Sequence, residues 1–195
     1  KRRWDVTDGQ GHIDMPRLQQ GGITAQIMAC FVRDHARPVA AGETLRLIET
    51  MHEIVEGWPA HVTLATRADD VRQAKRDGKI AAVLAMEGAD GVAGDLTLLR
   101  AFHRLGVRNI GLTWNHRNEV ADGHYERRTG GGLTEFGVRF VQEMRRLGIM
   151  VDIAHLAPRG VADVFEVYEG PVVASHANAQ AVCGHWRNLT DAQLE

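Results

Sequence analysis

Three times along this chain a helical stretch stops at a glycine and a short strand-like run follows. The sets are Asp69–Arg76, Gly78 and Ile80–Met86; Leu96–Leu105, Gly106 and Asn109–Leu112; and Thr134–Leu147, Gly148 and Ile149–Ile153. Glycine takes the left-handed conformation that ends a helix. Ile80–Met86, apolar throughout, reads as a parallel strand buried on both faces. Alternating β and α elements of this kind restrict the fold to a parallel sheet covered by helices.

The remaining segments extend the pattern. Ile23–Val32 reads as a strand, and after Pro38 comes a helix whose Leu45, Ile48, Met51, Ile54 and Val55 share one face. Val62–Ala65 is a short strand. Thr134 is a fitting N-cap, Pro158 suits the first turn of a helix ending near Tyr168, and Val172–Ala174 is the last strand. Thr190-Asp-Ala-Gln193 has the form of a capping box. The expectation is one α/β domain over residues 1–195 with about six βα units. A (β/α)8 TIM barrel typically needs about 250 residues, so either a barrel is cut at its ends or the sheet is open. The long polar segment Thr113–Gly132 is expected to be functional or mobile.

Composition narrows the partners. With 23 Lys and Arg against 25 Asp and Glu, no long-range field favours nucleic acid or an anionic membrane surface. Cys30 and Cys183 form no CxxC pair and are expected as buried thiols in a reducing compartment. No apolar run approaches the roughly 20 residues that span a bilayer, and Lys1-Arg-Arg-Trp-Asp5 leads into no signal-peptide core. A soluble, cytoplasmic protein acting on small molecules or peptides is the expectation.

Three polar residues occupy one topological position. Glu87 directly follows Ile80–Met86, and His155 and His176 each sit just past an apolar run. Groups leaving the carboxyl ends of successive parallel strands gather at one mouth of a barrel or doubly wound sheet. Imidazole with carboxylate suits zinc or a similar divalent ion, and a carboxylate can bridge two ions. Taken singly, each is equally a strand-end group bonded to backbone; their shared position favours a metal site.

Several stretches resemble the renal-type (membrane) dipeptidase family, peptidase family M19. They are Met86-Glu-Gly88, Leu112-Thr-Trp-Asn115, Gly132-Leu-Thr-Glu-Phe-Gly137, Glu143 through His155, Pro171-Val-Val-Ala-Ser-His176 and Val182-Cys-Gly-His-Trp-Arg-Asn188. The resemblance implies a (β/α)8 metallohydrolase with two zinc ions that cleaves dipeptides through a metal-bridged hydroxide, with a homodimer allowed. It implies that Glu87 bridges both ions, that His155 and His176 are ligands of the second, and that Arg187 holds the substrate. Without the resemblance, Arg187 reads as a surface ion-pair residue.

The chain departs from the family pattern in three places. The family's opening His-x-Asp lies well before the Pro-Arg-Leu-x-x-Gly-Gly segment, here Pro16–Gly22, so His12-Ile-Asp14 immediately before it reads as a false match. Trp114 stands where many relatives have a histidine that stabilises the tetrahedral intermediate; an indole donates one hydrogen bond but cannot become a cation. His116 could substitute, or it is a solvated loop histidine. The family's late catalytic aspartate has no counterpart in the sequence. Asp152 is either a partner that orients an imidazole or a structural residue. Trp4, Trp58 and Trp186 read as packing residues, Arg127-Arg128 as a solvated pair, and His35, His52, His61, His103, His124 and His185 show no ligand spacing. The rival readings are a barrel scaffold without metal chemistry and another amidohydrolase-like hydrolase, whose usual His-x-His opening is not matched here.

Overall fold

The structure, a computed structural model, describes residues 12–33 and 39–195. The expectations for Trp4, His35 and the Lys1–Asp5 lead fall outside these residues, as does Pro38. All six expected strands are present: β1 (Ala25–Phe31), β2 (Val62–Leu64), β3 (Ile80–Glu87), β4 (Val107–Gly111), β5 (Met150–Asp152) and β6 (Val172–Val173). Between and around them lie α1 (Met15–Gln20), α2 (Ala40–Gly57), α3 (Ala68–Arg76), α4 (Leu96–Arg104), α5 (Glu135–Leu147), α6 (Pro158–Val167) and α7 (Asp191–Leu194).

Every strand pairing is parallel, and the sheet runs β1, β3, β4, β5, β6 in neighbour order. β1 lies along Ala81–Glu87 of β3, filling one edge of that strand. The other edge is divided: β2 takes Ile80–Ala82 and β4 takes Leu84–Glu87, with a register shift within the β4 pairing between Leu84 and Ala85. The result is a parallel-sheet α/β fold with six strands, consistent with part of a (β/α)8 barrel.

Helix stops follow from local chemistry. The Thr134 hydroxyl accepts the Gly137 N–H at 2.9 Å and starts α5; Gly148, at φ +71°, ends it, a conformation that a Cβ would strain. β5 begins two residues later. Ile80, Leu84 and Met86 of β3 join Leu99 and Phe102 of α4 and Phe140 and Met144 of α5 in the main core. Burial of each such side chain contributes about 1.5–3 kcal/mol. On the opposite face of β3, Ala81 and Val83 meet Val71 and Ala74 of α3.

Segment 113–132 is well tied rather than loose. Asp122 is buried and accepts from the Arg117 guanidinium and from Thr129 Oγ1 at 2.7 Å. Isolated antiparallel bridges join Ala121 to Leu133 and Gly123 to Leu156. Cys30 is buried, and burial pushes its thiol up to about 11. Cys183 is exposed, against expectation: it lies with Val182 on the surface of the segment after β6. Among the described residues, no helix is long and apolar enough to cross a membrane.

Candidate metal centre

Parallel register lines up Phe31, Glu87, Gly111, Asp152 and Val173 across the carboxyl edge of the sheet. Glu87 is itself in this row. His155 and His176 lie just beyond their strands' members of it, Asp152 and Val173. Gly88, at φ +93°, turns the chain immediately after Glu87, and a Cβ there would sit 2.8 Å from Asp90 Oδ2. His155 has a positive φ, +67°, which is uncommon for a residue with a side chain. Its carbonyl is held by the His124 N–H at 2.9 Å and by Thr113 Oγ1 at 3.2 Å. These contacts fix a conformation that costs about 1–3 kcal/mol by itself.

The three side chains converge. Glu87 Oε1 lies 3.2 Å from His155 Nε2 and 3.4 Å from His176 Nε2, and the two Nε2 atoms are 2.7 Å apart. The far side of each ring decides where its proton is. Asn115 Oδ1 lies 3.0 Å from His155 Nδ1 and can only accept, so that nitrogen carries the hydrogen. Ser175 Oγ donates to Asp152 and therefore accepts from His176 Nδ1 at 2.8 Å. With Nδ1 of each ring donating, the neutral imidazoles turn their Nε2 atoms toward each other and toward a carboxylate oxygen, an arrangement suited to holding a cation.

A metal ion fits that arrangement. Tetrahedral bonds of about 2.05 Å separate ligand atoms by about 3.3 Å, which matches both Glu87–His distances, while the two imidazoles need only open slightly. Among the described residues, Glu87, His155 and His176 are the one group of three or more His, Cys, Asp or Glu side chains placed to hold an ion. Glu87, Asp152, Ser175 and His176 border a cavity of about 300 Å³ that also reaches Gln26 and Asn109. His155 beside it holds the Glu87 carboxyl below its usual range, helped by the charges of His176 and Arg187 and opposed by burial. Burial pushes the His176 imidazole down, with Glu87 opposing.

Beside the cluster, Arg187 has Nε and Nη2 buried without acceptors. Its charge reaches Glu87, His176 and His124. The segment carrying it is bolted down by Trp186, whose ring stacks on His185 at 4.9 Å, meets His124 at 5.1 Å and lies 4.6 Å below the Arg127 guanidinium. Arg127 is therefore a cation–π partner, not a merely solvated one. His124, which shows no ligand spacing in the sequence, is 5% exposed with Nδ1 buried and unpartnered. Burial, then the Arg187 charge, push its imidazole down to about 4.

The remaining candidates lie apart or alongside. Trp114 meets Phe31 edge-on at 4.9 Å, and its ring is 6.1 Å from that of His155, so an aromatic wall borders the cluster. His116 is turned toward Glu126 at 3.2 Å and against Tyr125, outside the ligand group. Asp14 is fully buried as the N-cap of α1, accepting from Arg17 N and Nε, and exposed His12 precedes it at the strands' opposite end. Asp152 reaches His176 through Ser175 and also accepts the Ala154 N–H. Asn115, Ser175 and His124 carry no assignment in the sequence reading. The first two lie inside quoted motifs, and second-partner logic applied to each histidine would have found them. Nothing in the sequence marks His124.

The family model for membrane dipeptidase (peptidase family M19) matches residues 2–195. Dipeptidase aclJ of Aspergillus oryzae is 33% identical over 95% of the chain and 46% of its own length. Dipeptidase tcpJ of Claviceps purpurea is 32% identical over 96% and 47%. The chain thus spans about half the length of these curated relatives. The crystal structure of dipeptidase AC, a metallopeptidase of family M19, superposes with a TM-score of 0.92 at 33% identity, covering 98% of this chain and 61% of that one. A Rhodobacter sphaeroides metallopeptidase, solved with a phosphinate mimic of the dipeptide L-Ala-D-Ala, gives a TM-score of 0.89 at 31% identity, with 98% and 63% covered. With the family model matched over residues 2–195 and the strand-end cluster in place, this chain belongs to the membrane dipeptidase family, peptidase family M19.

Proposed function

We propose that the protein is a zinc-dependent dipeptidase, and that Glu87, His155 and His176 hold metal, with Glu87 shared between two ions. The observation that carries this reading is the convergence of two Nε2 atoms and a carboxylate oxygen within 3.4 Å, with Nδ1 of each ring in hydrogen-bond reach of Asn115 or Ser175. Bound zinc supplies a Lewis acid for the scissile carbonyl and lowers the pKa of water.

The chain's own residues do the rest. Asn115 and the Asp152–Ser175 pair keep the two imidazoles in the ligating tautomer. Arg187 offers two desolvated N–H donors to a carboxylate of the substrate, a pairing that guanidinium geometry favours. Trp114 and Phe31 close one side with apolar surface, which leaves no imidazolium at the Trp114 position to stabilise a developing oxyanion.

Elemental analysis of the longest natural form of the protein, with hydrolysis of a dipeptide panel that includes L-Ala-D-Ala, tests the reading. About two zincs per chain and chelator-sensitive cleavage are expected. A folded protein with neither metal nor cleavage sinks it and returns the fold to the role of a scaffold.

A further inference from the structure

Among the side chains near the metal cluster with buried atoms that lack partners are Arg187 and His124, together with Asn109 at Nδ2 and Glu126 at Oε2. Arg187 leaves Nε and Nη2 without acceptors, and His124 leaves Nδ1 without a partner. Buried polar atoms are nearly always satisfied, and desolvated donors grouped at the edge of a site mark a place for a ligand atom. The Trp186 ring meets the His124 ring at 5.1 Å and Arg187 is the next residue, so the two groups lie at one junction. The guest's sign follows from Arg187, a permanent cation that pairs well with carboxylate.

The surroundings show that the spot is built. His124 begins the short 3-10 turn His124–Glu126, and its N–H holds the carbonyl of His155, a member of the ligand cluster. Trp186 packs against His124, Tyr125, His185 and Arg127, fixing the backbone just before Arg187 to that same turn. One rigid junction therefore carries both orphaned groups and touches the ligand shell. A merely structural histidine at such a junction would have its ring nitrogen bonded.

We infer that His124 is a substrate-binding residue: its Nδ1–H and the Arg187 guanidinium together grip the C-terminal carboxylate of the dipeptide. The inference rests on the dipeptidase reading and goes beyond it, adding a neutral donor whose position, rather than charge, selects for a free carboxylate at that end. Substrates amidated at the C-terminus lose both contacts.

The test uses the longest natural form of the enzyme, loaded with zinc, and compares kcat/KM for a dipeptide with that for its C-terminal amide. Asparagine places an amide N–H near the position of Nδ1, whereas glutamine places it near Nε2; the two side chains are otherwise alike. His124→Asn should keep the preference for the free acid within about threefold. His124→Gln and His124→Leu should each reduce it about tenfold or more, the effect of one hydrogen bond to a charged group, chiefly through KM and with zinc content unchanged. Equal preferences in His124→Asn and His124→Gln overturn the inference, as does a wild-type enzyme that cleaves acid and amide alike. A wild-type enzyme that cleaves neither overturns the dipeptidase reading and the carboxylate grip with it.

Discussion

Arg108 and Arg187 sit at opposite ends of the same sheet and are treated in opposite ways. At the base, Arg108 gives Nε to the Thr66 carbonyl at 3.0 Å and Nη1 to those of His103 and Val107 at 2.8 Å each. The cavity it borders there, about 370 Å³ and larger than the one at the metal cluster, is lined mainly by apolar groups such as Val71, Val83 and Met150. At the mouth, Arg187 is buried at Nε and Nη2 with nothing to donate to. Where the protein satisfies its own polar atoms, it is building structure; where it desolvates them and leaves them open, it is prepared for something from outside. The larger cavity is thus the less informative one.

The sharpest break of that contrast is at the cluster. Glu87→Gln keeps the shape of the side chain but removes the negative charge facing two imidazoles 3.2 and 3.4 Å away. Losing several kcal/mol of metal-centred stabilisation corresponds to activity lower on the order of a thousandfold. Binuclear metal loading should be abolished while the melting temperature of the metal-free protein holds. Two zincs retained per chain in the variant would remove Glu87 from any bridging role.

Paired substitution of the two arginines tests the contrast itself. Arg187→Ala should raise KM for dipeptides by roughly thirtyfold or more, since a charged hydrogen-bonded partner of a ligand carries about 2–5 kcal/mol, and should barely move stability. Arg108→Ala should leave KM alone and destabilise the fold by about 1–3 kcal/mol, because three carbonyls lose their donor. Chemical denaturation and steady-state kinetics on both variants decide it. If Arg187→Ala unfolds the protein and Arg108→Ala spoils binding, the division between the two ends is wrong.

The sequence made one end of this contrast far more legible than the other. Apolar runs and glycine stops located every strand, since burial on both faces of a parallel strand leaves a compositional mark. Glu87, His155 and His176 were visible because strand ends converge, so a polar residue after an apolar run already has a place in space. The division of one β3 edge between β2 and β4 was hidden: pairing partners depend on register, and the short Val62–Leu64 strand looks like any other. Asp122 and His124 were hidden too. Their significance lies in which atom each one faces, and segment 113–132 has no periodicity from which to read that.

A middle-sized effect belongs to the groups that orient the ligands. Asn115→Leu and Ser175→Ala each remove the acceptor that keeps a proton on Nδ1. Loss of such a contact lowers metal affinity or activity by about 10–100-fold. Competition with a chelator of known affinity would measure it, and affinity unchanged in both variants would mean that the imidazoles are oriented by packing alone.

The smallest effect is expected far from the mouth, where charges are satisfied internally. Glu143 on α5 accepts from Arg146 through Nε and Nη2 and from Arg100 of α4 through Nε, each at 2.7 Å. The bonds from Arg146, then those from Arg100, hold its carboxyl down to about 2 against an ordinary 4.5, with burial opposing. A carboxylate with a depressed folded value binds its proton more readily in the unfolded chain, so its contribution is complete above about pH 4.5 and is lost as pH falls toward 2. Both arginines are substantially exposed, which limits the contribution to about 1 kcal/mol. Urea unfolding of wild type and Glu143→Gln should therefore differ by that amount at pH 7 and converge by pH 2, with zinc content at pH 7 the same in both. A change in zinc content would connect the helix layer to the mouth and dissolve the separation between a self-satisfied scaffold and an open site.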